Sequence, residues 1–147
     1  MVAMSVIAEL SRRIAEEFNP DKIILFGSHA YGAPREYSDV DLLVIMPFEG
    51  HPFDKSMEIL NTLDPDFSVD VIVRDPADAA RRYREYDPLI REAFDRGRVL
   101  HARPGWARRQ GSHSGPHRAK ELGRDPMNEQ TSDFILQLAR ISHRGDR

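Results

Sequence analysis

The sequence predicts one small α/β domain followed by an irregular C-terminal tail. Apolar residues at helical spacing alternate with short, strongly apolar or β-branched runs, which is the pattern of helices packed on a sheet. After about residue 103 that pattern fails, so residues 1–103 read as the domain and residues 104–147 as a linker-like tail.

The elements follow in order. Residues 5–18 carry Val6, Leu10, Ile14 and Phe18 at every fourth position, with Ile7 and Ala15 beside them. Asn19-Pro20 stops that helix. Residues 22–26 form an apolar run that ends at Gly27-Ser28, a turn opening a brief helix, and residues 32–38 are loop. Residues 40–46, VDLLVIM, read as a strand covered on both faces. Residues 54–63 predict a second amphipathic helix with Met57, Leu60 and Leu63 aligned, closed by Asp64-Pro65. Residues 68–73, SVDVIV, are strand-like. Residues 77–86 and 88–96 are two helical pieces, the second capped by Asp87, begun by Pro88 and ended by Gly97. Val99 and Leu100 add a short edge strand. In the tail, Phe134, Ile135, Leu138 and Ile141 would share one face of a helix over 133–141, too little apolar surface to fold alone.

The chain has 147 residues, enough for one ordinary domain. It is 40% hydrophobic and 31% charged, the composition of a globular protein, and no apolar run is long enough to cross a bilayer. MVAMSVIAEL lacks the basic stretch of a signal peptide, and the absence of cysteine excludes disulfides, thiolate metal sites and a cysteine nucleophile. A cytoplasmic protein is expected. The net charge of −3 is unevenly spread: residues 1–102 hold 12 basic and 19 acidic residues, a net of −7, and residues 103–147 hold 9 and 5, a net of +4. The acidic domain does not attract nucleic acid by charge, and the basic tail reads as a solvated extension that could touch phosphates weakly.

Three features carry chemistry. Gly27-Ser28 lies between a strand and a helical turn, where backbone amides and a hydroxyl can hold a phosphate, though alone such a pair is often only a turn. Asp39 and Asp41 flank Val40 at the mouth of a strand; residues two apart share a face, about 6.6 Å apart, and their carboxylates can converge on cations. Taken alone, such a pair is more often two solvated acids ending a loop. Asp70 interrupts the apolar strand VDVIV, which requires a compensating cation or an edge facing water. Three acids at one sheet end suit divalent cations with oxygen ligands, and hence two-metal phosphoryl or nucleotidyl transfer.

FGSHAYGAPREYSDVDLLV, with Gly-Ser, ten intervening residues and Asp-x-Asp in an apolar strand, resembles the signature of the DNA polymerase β nucleotidyltransferase superfamily. VDVIV is similar to the strand bearing its third carboxylate, and DPLIREAFDRGRVLHA is similar to the ending of the minimal nucleotidyltransferases. The resemblance spans residues 5–103 and implies a mixed-sheet α/β core, a nucleoside triphosphate donor (ATP expected) and two Mg²⁺ ions. Carried over, Gly27 and Ser28 would bind the β- and γ-phosphates. Asp39 and Asp41 would ligate both metals, and Asp70 the metal nearer the acceptor hydroxyl. Family members often carry arginines after Gly-Ser, where this chain has His29 and Tyr31.

Many proteins of that kind accompany a HEPN-domain protein as antitoxins, so the expected function is transfer of AMP to a hydroxyl on such a partner. The alternatives are transfer to a small molecule such as an aminoglycoside, with a homo-oligomer completing the binding face, and a non-catalytic antitoxin that acts by contact. His29 and His51 read as loop residues. His113 and His117 read as solvated, because Gly115-Pro116 breaks a shared helix face. Arg81, Arg82 and Arg84 read as a solvent face, Tyr83 and Tyr86 as packing residues, and Trp106 as undecided.

Overall fold

The computed structural model describes residues 2–32, 34 and 38–103. Trp106, His113, His117 and the helix expected over 133–141 lie outside the described residues. The order is α1 (Met4–Phe18), β1 (Lys22–Phe26), β2 (Val40–Ile45), α2 (Pro52–Leu63), β3 (Val69–Arg74), α3 (Pro76–Arg84), α4 (Pro88–Arg96) and β4 (Arg98–Ala102). The four strands lie in the order β3-β2-β1-β4. β1 runs antiparallel to β2 and β4, and β2 runs parallel to β3, so the sheet is mixed, as expected.

Strand alternation sends the apolar runs into two cores. On one face Ile23, Leu25, Leu42, Val44, Val71 and Val73 meet Ile7, Leu10 and Ile14 of α1 with Ile59 and Leu63 of α2. On the other, Ile24, Phe26, Leu43 and Ile45 meet Ala79 and Ala80 of α3 with Ile90, Ala93 and Phe94 of α4. The central strands are therefore covered twice, which is why they show no polar alternation.

The helices begin where side chains take up free amides. The Asp87 carboxylate accepts from the N–H groups of Leu89 and Ile90 at 3.0 and 3.1 Å, as expected of the cap. Asp75 accepts from Ala77 N–H at 2.9 Å, and His51 Nδ1 from Phe53 N–H at 3.0 Å. His51 is thus a cap, which lets α2 start at Pro52 rather than at residue 54.

Some details differ from the sequence reading. Residues 28–32 form turns rather than a helix. In α2 the buried apolar pair is Ile59 and Leu63, with Met57 turned outward; in α1, Ile7 is buried and Val6 exposed. Both helices carry two apolar stripes, and the sheet covers only one. Tyr83 packs edge-on against Phe94, at 6.2 Å between centroids, but Tyr86 is 74% exposed. Tyr86 sits in the turn between α3 and α4 with φ of 62°, beyond the helix that would have carried it inward.

Candidate active site

The site is built from strand ends. In β2, Asp41 pairs across to Phe26 of β1 and to Asp70 of β3. Leu43 and Ile45 project towards α3 and α4, so Asp41, two residues earlier, projects to that same side. Asp39, just before the strand, shares that parity. In β3, Ile72 also packs on the α3/α4 side, which puts Asp70 there as well. The structure thus brings all three predicted acids to one sheet end and one face. Asp70 lies on an edge strand and is exposed, which answers the cost of placing an acid in an apolar run. Asp39 is also exposed, and Asp41 is half-buried.

Gly27 ends β1 with φ of 76°, a left-handed conformation that disfavours side chains. Its carbonyl accepts from the N–H groups of Ala30 at 3.0 Å and Tyr31 at 3.3 Å, which folds the Gly27-Ser28 segment into a turn. A Cβ on Gly27 would collide with the Asp41 carboxylate. The glycine turn and Asp41 are therefore in close contact, and Ser28 follows immediately in the turn.

The charges crowd. Burial first, and then the neighbouring charges of Asp70, Asp39 and Glu92, hold the Asp41 carboxyl above the usual carboxylate range, with His29 opposing. Glu92 of α4 was not anticipated from sequence. His29 was also missed. It is 7% exposed and bridges two backbone segments. Its Nε2 accepts from Val2 N–H at 3.4 Å, so Nδ1 carries the proton and donates to the Asp39 carbonyl at 3.2 Å. Its short spacing from the glycine turn was the one hint; the contact with Val2 had none.

Donor chemistry fits a hard divalent cation: the acids offer only oxygen, and their mutual repulsion is what a cation relieves. Among the described residues, no three His, Cys, Asp or Glu side chains already form a set that could hold an ion. Closing such a set would require the exposed Asp39 and Asp70 side chains to turn towards Asp41. Among the described residues no helix is long and apolar enough to cross a membrane.

Residues 7–100 match the nucleotidyltransferase domain family. No curated protein matches the chain. Among solved structures, the chain is similar to a candidate nucleotidyltransferase from Sulfolobus solfataricus, at 28% identity and a TM-score of 0.43 over 52% of this chain and 70% of that one. It is similar to a chain of a toxin–antitoxin structure with AMP-PNP, at 19% identity and a TM-score of 0.45 over 99% and 98%. A chain of the complex between tri-AMPylated Shewanella oneidensis HEPN toxin and MNT antitoxin gives 17% identity and a TM-score of 0.35 over 97% and 92%. The family match covers well over half of the chain, including the glycine turn and all three acids: the chain belongs to the nucleotidyltransferase domain family.

Proposed function

We propose that this chain is a metal-dependent nucleotidyltransferase that moves AMP from ATP to a hydroxyl of a HEPN-domain partner, as its cytoplasmic antitoxin. The observation that carries the reading is the register of Asp41 opposite Asp70, with Asp39 on the same face and Gly27 packed against Asp41. A glycine turn and three carboxylate-bearing positions meet there at one sheet end.

Gly27 and Ser28 would hold the β- and γ-phosphates. Asp39, Asp41 and Asp70 would hold two Mg²⁺ ions. When bound, these cations supply activation of the attacking oxygen and neutralisation of the departing pyrophosphate. The acceptor oxygen bonds to the α-phosphorus, the α–β phosphoanhydride bond breaks, and the hydroxyl proton passes to a carboxylate or to water. Asp70, exposed on the edge strand, is the acid best presented to an incoming acceptor.

The net charge of −7 over residues 1–102 disfavours a nucleic-acid backbone as acceptor, since such binding rests on Lys and Arg neutralising phosphates. A folded partner needs only to present a hydroxyl and exclude water. The partner class rests on the resemblance of residues 5–103 to minimal nucleotidyltransferases.

The test incubates the purified protein with α-labelled ATP, Mg²⁺ and its genomic neighbour, as the expected HEPN protein, alongside tRNA and a panel of aminoglycosides. Label on the HEPN protein, absent with the Asp39→Asn variant, is the expected result. Label on RNA or an aminoglycoside alone would overturn the acceptor assignment.

A further inference from the structure

We infer that Arg96, held on the ring of Tyr31, is a contact for the terminal phosphates of the nucleoside triphosphate. The inference rests on the nucleotidyl-transfer reading and adds a residue that its glycine turn and three acids do not include.

Tyr31 belongs to the turn that opens at Gly27, to whose carbonyl its N–H donates at 3.3 Å. The backbone that carries the ring is therefore held within the turn of the expected phosphate cradle. Arg96, the last residue of α4, lies over that ring with its guanidinium carbon 4.2 Å from the centroid. Stacking covers a face of the guanidinium and leaves its in-plane N–H donors free, the arrangement in which arginine meets phosphate. Among the described residues Arg96 forms no ion pair, whereas Arg12, Arg81, Arg82 and Arg103 all do.

The support of Arg96 is rigid. α4 presses onto β1 closely enough that a Cβ on Gly97 would collide with the Ala93 carbonyl, the Ile24 side chain and the Leu25 carbonyl. One turn before Arg96, Glu92 lies within electrostatic reach of both Tyr31 and Asp41. The buried Tyr31 hydroxyl faces this carboxyl without reaching good hydrogen-bond geometry. One helix flank thus spans from the acid cluster to the glycine turn, and Arg96 brings positive charge to the turn side. A triphosphate bound beside four carboxylates needs such a charge on the side away from the cations. Arginine is absent from the Gly27-to-Gly32 stretch, and α4 supplies one from a different part of the chain.

The experiment is calorimetric titration of the full chain, in Mg²⁺, with the non-cleavable α,β-methylene analogue of ATP and with AMP. Arg96→Gln is expected to weaken analogue binding on the order of tenfold, the scale of one charge-assisted hydrogen bond, and to leave AMP binding unchanged. Tyr31→Leu should reproduce that loss, Tyr31→Phe should not, and Arg96→Lys should recover part of it. Thermal melts report whether each variant is folded; Arg96→Gln, altering an exposed side chain, keeps the test open if Tyr31→Leu unfolds. An unchanged ratio of analogue to AMP affinity in Arg96→Gln would overturn the inference while leaving nucleotidyl transfer standing. Failure of the wild-type chain to bind either nucleotide would overturn both.

Discussion

Asp41 is where packing and charge conflict. The residue is wedged between the Gly27 turn and the edge strand, and burial with three neighbouring carboxylates raises its proton affinity. A carboxyl raised in the folded state stabilises the fold below its ordinary value, and that contribution is lost as pH rises through the raised value. At neutral pH the ionised form therefore opposes folding. Asp41→Asn is expected to melt at or above the wild-type temperature in the absence of divalent cations, with the difference shrinking towards acid pH. Thermal denaturation across that range checks this; a clear fall in melting temperature at neutral pH would contradict it. Gly27, Asp39, Asp41 and Asp70 were legible from their types and spacing, because strand parity and turn chemistry are local. Glu92, Arg96 and His29 were not, since each acts on a residue brought near only by packing of α4 or by the loop before β2.

Among the elements, α4 is the one on which the site leans, and its start is held by Asp87. The Asp87 carboxylate caps Leu89 and Ile90 and pairs with Arg82 at 3.1 Å, joining α3 to α4. Burial pushes its carboxyl up, but the Ile90 N–H, Arg82 and the Leu89 N–H together hold it below the ordinary range. Its stabilisation is present above that range and is lost as pH falls through the lowered value. Asp87→Ala is expected to cost about 1 kcal/mol at neutral pH, the usual worth of an N-cap, and less in acid. Chemical denaturation at two pH values measures both; equal losses at each would leave the cap without its charge. This cap could be read directly from Asp87-Pro88, and most of the described elements were legible because their apolar runs end at Pro, Gly, Asn or Asp. The buried stripe of α1 and of α2 could not be chosen from sequence. Each helix offers two, and only the sheet decides between them.

For the molecule as a whole, Arg103 closes the described fold. Its N–H donates to the Asp21 carbonyl at 3.0 Å, and its guanidinium pairs with the buried Asp21 carboxylate at 2.7 Å, tying the chain after β4 to the entry of β1. A chain ending after Arg103 is expected to keep the melting temperature of the full protein, and one ending after Ala102 to lose about 1 kcal/mol with the Arg103–Asp21 contacts. A drop of several degrees on removing residues 104–147 alone would mean that the tail docks on the domain. The mixed sheet with helices on both faces was legible once the motif was matched to a family, whereas the strand order, which puts Asp70 at an edge, depends on the parallel crossover through α2. The central claim is that this sheet end transfers the α-phosphoryl group with its nucleoside. Parallel reactions with α-labelled and γ-labelled ATP, Mg²⁺ and the proposed HEPN partner test it most directly. The expected result is acid-stable label on the partner from the α position alone, γ label released as pyrophosphate, and both signals reduced on the order of 100-fold or more by Asp39→Asn or Asp41→Asn. Transfer of the γ label, or undiminished α transfer in those variants, would contradict it.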